Sequence, residues 1–330
     1  MEYSTLIIAV IFVALMFDFA NGWNDSANAI ATVVSTRVLS PLAAVLLAGV
    51  LNFAGAFFST AVAKTIGKGL VEPSMITPEV VLAAMLGAFT WTLFMTLGGL
   101  PISGSHSLIG GLIGAVIFSV GAGALKMAGV KKVILALLFS PLFGITVGFF
   151  LMVLIMYFFK NVSSGFVNKV FGKLQLVSVC AMAYSHGAND AQKVMGIITM
   201  ALVSGGLHPS MDTIPFWVIL SCGIVMGLGT AMGGWRVIKT LGLQLSRIKP
   251  VHGFAAETSA SIVLMGAASI GAPVSTTHVI TSCIMGVGST RRLSAVRWGI
   301  GKKILYAWVF TLPACGIISG LFYLLLDLIL

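Results

Sequence analysis

The sequence predicts an all-α integral membrane protein that contains two inverted-topology repeats. Of its 330 residues, 58% are hydrophobic and only 8% are charged, whereas about a quarter of the residues in a soluble domain are charged. The apolar runs are long and continuous, which favours membrane-spanning helices over the alternating pattern of a barrel. Several short motifs occur once in each half of the chain, which indicates an internal duplication.

The duplicated motifs keep the same order in the two halves. The matched pairs are GWNDSAN at 22–28 with GANDAQK at 187–193, KTIG at 64–67 with KTLG at 239–242, and GLPISGSH at 99–106 with GAPVSTTH at 271–278. The first and last pairs place carboxylates, or glycine and proline breaks, inside hydrophobic segments. Paired breaks of this kind are typical of secondary transporters and predict where the transported species bind.

The apolar runs predict six membrane crossings and two re-entrant hairpins, because the hairpin arms are shorter than the about 20 residues that a crossing needs. The predicted segments are a first repeat at 1–132 (broken helix 4–36, crossing 41–63, hairpin 80–121), a connecting crossing and cytoplasmic loop at 133–173, a second repeat at 174–303 (broken helix 174–204, crossing 215–235, hairpin 255–288) and a C-terminal helix at 304–330. Each hairpin is expected to turn near the membrane midplane, where irregular backbone is tolerated only under a cover of protein or water.

The distribution of Lys and Arg predicts the orientation. With this topology, 13 of the 19 basic residues lie on one face and five on the other, and Lys193 stays inside the membrane. The positive-inside rule makes the richer face cytoplasmic. Both termini are then outside the cytoplasm, and the two repeats are inverted. The net charge of +10 is thus explained by short loops of a plasma (inner) membrane protein, and no nucleic-acid partner is expected.

Asp25 and Asp190 are the candidate cation ligands, because each lies deep in an apolar segment. A lone carboxylate at the centre of a membrane helix costs about 2.5–3.5 kcal/mol on insertion scales, so it must meet a cation, a proton or hydrogen-bond donors. Glycine and asparagine beside each aspartate are expected to unwind the helix and free carbonyl oxygens, which would form a hard oxygen site for sodium. The same carboxylates could instead carry a proton. The candidate ligands are Asn24, Asp25, Asn28, Asn189, Asp190 and Glu257.

The hairpin tips are the candidate anion site. Each tip opens an apolar helix with hydroxyl residues, and a helix N-terminus presents unpaired N–H groups and a partial positive charge. The candidate donors are Ser103, Gly104, Ser105, His106 and Ser107 at the first tip, and Ser275, Thr276 and Thr277 at the second. Two such tips would enclose a small multi-oxygen anion. Ordinary N-capping is the alternative, and His106 and His278 are interpreted first as loop anchors and second as proton or anion contacts.

Three charged residues keep open interpretations. Lys193 lies one helical turn after Asp190, where the first repeat has Asn28, and it could neutralise Asp190, contact the anion, or do both. Glu257 opens the second hairpin and either caps it or binds a cation. Asp18 has no assigned role.

At these motifs the sequence resembles the PiT family of inorganic phosphate transporters over essentially its whole length. The resemblance implies a homodimeric transporter that moves inorganic phosphate with a coupling cation, and it adds Gln192 to the site beside Lys193. Sodium is the expected co-transported ion, and no other cofactor is expected. Gln192-Lys193 departs from the first repeat and resembles bacterial members coupled to protons that carry metal–phosphate complexes. Proton coupling, metal–phosphate and sulfate therefore stay open.

Two other classes of protein account for less of the sequence. An anion channel needs no pair of buried carboxylates, which would repel its ion. An intramembrane aspartyl protease could use Asp25 and Asp190 as a dyad, but this hypothesis leaves the duplicated hydroxyl tips unexplained. The chain is therefore not expected to be an enzyme.

Overall fold

The computed structural model describes residues 3–72, 75–246 and 248–329, which are almost entirely helical. In chain order the helices of this part are α1 (Tyr3–Ser35), α2 (Pro41–Gly55), α3 (Ala61–Gly69), α4 (Pro78–Leu97), α5 (Gly104–Ser119), α6 (Met127–Phe158), α7 (Ser164–Ser204), α8 (Phe216–Met232), α9 (Trp235–Lys239, continued by a π-helical turn over Thr240–Gln244), α10 (Pro250–Ser269), α11 (Thr276–Ser289) and α12 (Trp298–Ile329). The predicted placement of Arg247 on the cytoplasmic face, and the outermost predicted bounds at residues 1 and 330, lie outside the described residues.

The predicted fold class is confirmed: the chain is an all-helical membrane protein with an inverted repeat. In the described ranges, five helices are long and apolar enough to cross a membrane, namely α1 from Thr5 together with α4, α6, α7 and α12. The pair α8–α9 supplies a sixth when its two parts, bent by 61° at the break, are taken as one span. The large apolar residues that stay exposed, such as Phe12 and Phe150, suit a protein whose outer surface meets lipid.

Each repeat contains a pair of helices whose outer ends are joined by a β-bridge. We call these pairs hairpin 1 (α4–α5) and hairpin 2 (α10–α11), and we call the joined ends the base of each hairpin. An isolated antiparallel bridge joins Val71 to Leu125 at the base of hairpin 1, and another joins Ser246 to Val296 at the base of hairpin 2. Both chain ends of each hairpin therefore lie together. At the turns, Gly99 (φ 72°) and Gly271 (φ 67°) occupy equivalent positions, where the left-handed backbone favours glycine.

The predicted breaks within 4–36 and 174–204 were misplaced, because α1 and α7 continue as helices through both Asn-Asp motifs. No carbonyl is freed there, since an interrupted helix would leave backbone groups unpaired in an apolar setting. The glycines instead allow close helix packing. A methyl group at Gly22 would lie 2.7 Å from the Met226 carbonyl oxygen, and one at Gly187 would lie 2.1 Å from the Asn52 carbonyl oxygen.

The breaks lie instead at equivalent places after α2 and α8. The predicted crossing 41–63 is divided into α2 and α3, and the crossing 215–235 corresponds to α8 with the start of α9. Both second parts, α3 and α9 with its π-helical turn, carry the duplicated Lys-Thr-x-Gly motif. Several helices also start earlier than predicted: α6 at Met127, α7 at Ser164, α10 at Pro250 and α12 at Trp298.

The two ends of the bundle differ in how their charges are balanced. At the end near the base of hairpin 1, Lys126 Nζ lies 2.6 Å from Glu72 Oε2, and Lys68 pairs with Asp212. The hydrogen bond and the charge of Lys68 hold the pKa of the exposed Asp212 carboxyl below its usual range. The opposite end is rich in Lys and Arg but has no such ion pair among the described residues.

Gly187→Ala should destabilise the protein, because its new methyl group would meet the Asn52 backbone. Overpacked sites cost about 1–3 kcal/mol, so the melting temperature in detergent should fall. Gly172→Ala in the same helix is the matched control, since a methyl group there has no atom within 4 Å and alanine favours helix by up to about 1 kcal/mol. Equal melting temperatures of the two variants would contradict the close-packing role.

Candidate functional site

The two aspartates of the duplicated motif meet at the contact between α1 and α7. Asp25 and Asp190 are both buried, and His186 lies between them, one turn before Asp190. The Nε2 atom of His186 is 3.3 Å from Asp190 Oδ2 and 3.8 Å from Asp25 Oδ2. One ligand atom from each residue lies within 4.8 Å of the others. These three residues form what we call the acidic cluster.

His186 is the member of the cluster that the sequence did not assign to the site. The ring Nδ1 lies 2.7 Å from Asn52 Oδ1, and the amide of Asn52 donates to the Ala48 carbonyl oxygen. Because the Asn52 oxygen must then accept, the proton of a neutral His186 is on Nδ1 and the lone pair of Nε2 faces the two carboxylates. The spacing of four residues from His186 to Asp190, which puts both on one helix face, was the available signal.

The tip of hairpin 2 contacts the acidic cluster directly. Thr276 Oγ1 donates to Asp190 Oδ2 at 2.8 Å and lies 3.4 Å from Asp25 Oδ2. Thr277 Oγ1 is 3.0 Å from Asp25 Oδ1 and accepts a hydrogen bond from Asn28 Nδ2 at 2.9 Å. The residues that the sequence assigned separately to a cation site and an anion site therefore form one continuous polar centre.

Lys193 joins the acidic cluster to the same tip. Its ammonium pairs with Asp190 and donates to the Val274 carbonyl oxygen at 3.0 Å, and the side chain is buried. Both interpretations left open by the sequence fit this position, since Lys193 neutralises one carboxylate and also lies at the predicted anion site. A buried Lys–Asp pair with a further acceptor is the arrangement in which such charges are tolerated.

The two hairpin tips contact each other through a pair of equivalent hydrogen bonds. Ser105 Oγ donates to the Val274 carbonyl oxygen at 3.0 Å, and Thr277 Oγ1 lies 2.8 Å from the Ile102 carbonyl oxygen. Ser105 and Thr277 are matched positions of the two repeats, as are Ile102 and Val274, so the contact follows the symmetry of the duplication. The N-termini of α5 and α11 consequently lie close to this contact between the tips.

Both tips are also capped in the same way. The Ser103 hydroxyl accepts from the His106 backbone N–H at 3.2 Å, and the Ser275 hydroxyl accepts from the His278 backbone N–H at 3.2 Å. Gly104 allows a close approach to Asn21, because a methyl group there would lie 1.8 Å from Oδ1 of this buried side chain. Among the described residues, Ser107 donates to the Ser103 carbonyl oxygen, one turn back on the same hairpin tip. The bonds accepted by Ser103 and Ser275 are ordinary N-caps.

The two tip histidines have different surroundings. His106 Nδ1 lies 2.7 Å from Ser103 Oγ, as expected of a loop anchor. The ring of His278 stacks on Trp308 with centroids 3.8 Å apart and faces the His106 ring at 4.6 Å.

The three asparagines of the motif have different partners. Asn24 contacts hairpin 1: its amide donates to Thr96 Oγ1 at 2.9 Å and to the Leu100 carbonyl oxygen at 3.2 Å, and its oxygen faces the Ile102 N–H at 3.4 Å. Asn28 binds hairpin 2 through Thr277. Asn189, at the position equivalent to Asn24, is buried with neither side-chain polar atom bonded to a described residue.

The structure places Glu257 and Gln192 apart from the acidic cluster. Glu257 lies inside α10, which starts at Pro250, and so it does not open the hairpin. Its carboxylate accepts from Thr32 at 2.5 Å, from Gln175 at 2.8 Å and from Ser178. Gln192 accepts from the Val62 N–H at 2.9 Å at the start of α3 and donates to the Ala188 carbonyl oxygen.

These features define the class of protein. A multi-pass membrane protein with an inverted repeat, whose two buried carboxylates meet a helix N-terminus, has the architecture of a transporter. Residues 21–319 match the model of the phosphate transporter family. The chain therefore belongs to this family, which confirms the resemblance noted in the sequence.

Individual relatives agree with the family match. The chain is 45% identical over 326 residues to a "probable low-affinity inorganic phosphate transporter" of Bacillus subtilis, covering 98% of both chains. It is 45% identical over 325 residues to a protein of the same description from Rhizobium meliloti, covering 98% of this chain and 97% of the relative. A solved structure described as "the sodium-dependent phosphate transporter" superposes with a TM-score of 0.91 at 28% identity, covering 99% of this chain and 100% of the other.

Asp190→Asn should destabilise the fold by leaving the buried ammonium of Lys193 without its carboxylate. Breaking one side of a buried ion pair costs about 3–5 kcal/mol, which thermal unfolding in detergent would detect. Adding Lys193→Met should recover part of the loss, because the unpaired charge is then removed. Asp327→Asn, at an exposed position, is the control. A double variant less stable than Asp190→Asn alone would refute the pairing.

Proposed function

We propose that the chain imports inorganic phosphate by symport with sodium, through alternating access to the polar centre formed by the acidic cluster and the hairpin tips. The observation that carries the proposal is the contact of Thr276 and Thr277 with Asp25 and Asp190. One set of hydroxyl groups touches the candidate cation ligands and belongs to the candidate anion site. The family match and the relatives described as phosphate transporters support the substrate.

The cation ligands in this proposal are side chains. Since α1 and α7 are continuous, carbonyl oxygens of these helices do not contribute as the sequence had suggested. Asn28 Oδ1 and Asn189 Oδ1 are buried and bonded to no described residue, so both oxygens are available beside the two carboxylates. Carboxylate and amide oxygens are hard ligands suited to sodium. Glu257, with its hydroxyl and amide neighbours, is proposed as a separate cation ligand, and Asn24 as a ligand once it leaves hairpin 1.

Charge balance explains why a cation must accompany the anion. Asp25, Asp190 and Lys193 together carry one net negative charge, which opposes phosphate strongly where the effective dielectric is low. Two sodium ions would reverse this sign. With one monovalent phosphate bound as well, the charges of these three residues and their ligands would sum to zero.

The threonines can couple the two binding events chemically. As long as the Thr276 hydroxyl donates to Asp190, and the Thr277 hydroxyl to Asp25 or to the Ile102 carbonyl oxygen, their protons are not available to phosphate. A sodium ion bound at the carboxylates can take the hydroxyl oxygens as ligands, and the O–H groups are then free to donate to a phosphate oxygen. Cation binding thereby prepares the anion site.

The phosphate is proposed to lie between the two tips, near the N-termini of α5 and α11. Hydroxyl donors from Ser105, Ser107, Thr276 and Thr277 and the ammonium of Lys193 would bind its oxygens, with Ser103, Gly104, His106 and Ser275 shaping the tips. Helix N-termini bind such anions without basic side chains. Gln192 would have to leave Val62 to take part.

Hairpin 1 makes several contacts that have no equivalent at hairpin 2. This asymmetry supports alternating access. Asn24 binds Leu100, Arg236 binds the Leu97 carbonyl oxygen at 2.5 Å, and Thr240 binds the Gly99 carbonyl oxygen at 3.1 Å. We call these three bonds the hairpin 1 latch. Of the equivalent residues, Asn189 has no side-chain partner among the described residues. Thr65 donates to Ala61 in its own helix, whereas Thr240 lies 3.1 Å both from the Arg236 carbonyl oxygen of its own helix and from the Gly99 carbonyl oxygen. We propose that the opposite state exchanges this pattern between the repeats.

The orientation in the membrane is proposed from the distribution of Lys and Arg, and the assembly from the family resemblance. The Lys- and Arg-rich end is cytoplasmic and both termini are outside by the positive-inside rule. The hairpins are re-entrant, as their joined bases suggest, and the latch then closes the cytoplasmic path. A homodimer in the plasma (inner) membrane is expected from the family resemblance, and no cofactor besides the transported ions is proposed.

Uptake of radiolabelled phosphate into proteoliposomes, with sodium and proton gradients imposed separately, tests the function. Phosphate should accumulate against its gradient only with sodium. Asp25→Asn should lower that uptake about 10- to 150-fold, since a contact with a charged group contributes about 1.5–3 kcal/mol. Asp327→Asn should transport normally.

Other outcomes of this assay favour the alternatives. Uptake driven by a pH gradient and indifferent to sodium would make the carboxylates proton carriers. A requirement for divalent metal would indicate a metal–phosphate substrate, and uptake of labelled sulfate would indicate a sulfate transporter. Flux without accumulation against a gradient would indicate a channel.

Ser105→Ala and Thr277→Ala should weaken phosphate affinity, because each removes a donor at the tip. A hydrogen bond to a charged group contributes about 1.5–3 kcal/mol, so the KM for phosphate should rise roughly tenfold or more at saturating sodium. Ser119→Ala at the far end of α5 is the control, since among the described residues that hydroxyl bonds to the Val116 carbonyl oxygen of its own helix. Unchanged KM in both tip variants would refute the placement of phosphate.

Asn24→Ala should open the hairpin 1 latch. Asn189→Ala should have little effect on the latch, because Asn189 is not part of it. The readout is modification of Leu100→Cys, in an otherwise cysteine-free protein, by a membrane-impermeant thiol reagent added from each side. Losing bonds of about 1 kcal/mol each should raise labelling from the cytoplasmic side several-fold in Asn24→Ala. Equal labelling in the two variants would exclude the latch, and labelling from outside would reverse the orientation.

A further inference from the structure

A pocket of about 370 Å³ lies outside the polar centre, at the Lys- and Arg-rich end of the bundle. Lys160 after α6, Lys249 before α10 and Arg291 after α11 line it from three separate segments. Apolar side chains near the end of α6, including Met156 and Phe159, line the same pocket. It therefore combines three cations with an apolar wall where a membrane helix ends.

The three cations are uncompensated in the described part of the chain. Neither Lys160, Lys249 nor Arg291 has an Asp or Glu oxygen within 4.0 Å, whereas Lys68 and Lys126 at the opposite end are both paired. Lys160 instead has its ammonium 5.0 Å from the ring centre of Tyr157. Cations drawn together without acidic partners repel one another, and an anion in the pocket would relieve that repulsion.

A neutral donor completes the polar side of the pocket. His252 is largely buried and lines the pocket, and its Nδ1 accepts a hydrogen bond from the Lys249 backbone N–H at 2.9 Å. The neutral ring must then carry its proton on Nε2. That N–H bonds to no other described residue and is available to an anion oxygen.

We propose that this pocket binds the phosphodiester headgroup of an anionic phospholipid, such as phosphatidylglycerol. The cations and the His252 N–H suit phosphate oxygens, a chemistry that free phosphate shares. The apolar side chains of α6 favour the lipid, because they offer a surface for an acyl chain beside the charged groups. Met156 is 44% exposed, so this surface is open. Basic pockets between membrane helices bind anionic headgroups in this manner.

Binding of short-chain phosphatidylglycerol to the full chain in phosphatidylcholine nanodiscs tests the proposal. Arg291→Gln and Lys249→Gln should each weaken binding about fivefold, the effect expected of one cation at an anionic membrane surface. Lys302→Gln is the matched control, since it removes the same charge from an exposed residue that does not line the pocket. It should leave the affinity within about twofold of the unsubstituted protein.

Two further probes distinguish the lipid from a free anion. Glycerol phosphate and inorganic phosphate should not displace the bound lipid at millimolar concentration, and phosphatidylcholine should bind equally to every variant. Displacement by inorganic phosphate would show a soluble-anion site instead. Equal losses in Lys302→Gln and Arg291→Gln would show general surface attraction and overturn the proposed pocket.

Discussion

The burial of two carboxylates at one point in an apolar bundle is the constraint on which the rest of the structure depends. Asp25 and Asp190 are no more than 2% exposed, and an ionised carboxylate removed from water needs a compensating charge or several donors. Lys193 and the two threonines of hairpin 2 fill that need. Hairpin 2 is thus held at its tip by contacts with carboxylates whose negative charge a bound cation would offset. Ion binding is thereby connected to the position of both helices of hairpin 2.

The repetition in the sequence was sufficient to predict the fold class and the two hairpins. Prolines and glycines at 99–106 and 271–278 interrupt the apolar runs, and the structure breaks the helices there. The expectation that every hairpin arm is too short to cross a membrane was wrong for α4, which is long and apolar enough. The helix breaks within the Asn-Asp motifs were wrong for a physical reason. Glycine permits both an unwound helix and a close helix contact, and only the neighbouring backbone, at Met226 and Asn52, decides between them.

The residues that form the site could be predicted only in part, since spacing along the sequence does not show which residues of the two repeats contact each other. Asp25, Asp190 and the tip hydroxyls were identified because they are duplicated. His186 has no counterpart in the first repeat, and its role depends on Asn52, a residue of α2 that orients its ring. Glu257 was identified as a buried charge, but its donors Thr32, Gln175 and Ser178 come from α1 and α7 and follow no motif.

The sequence differences between the two repeats make the contacts of hairpin 1 and hairpin 2 unequal within a symmetric fold. Asn28 and Lys193 are equivalent residues, yet both bond to hairpin 2, one through Thr277 and the other through Val274. Hairpin 1 is held mainly by neutral bonds from Asn24 and Thr240 and by the Arg236 side chain. Because ions alter charged contacts far more than neutral ones, cation binding should act first on hairpin 2. In the proposed transport cycle, the exchange of states then begins at hairpin 2, and hairpin 1 follows through the tip contact of Ser105 with Val274.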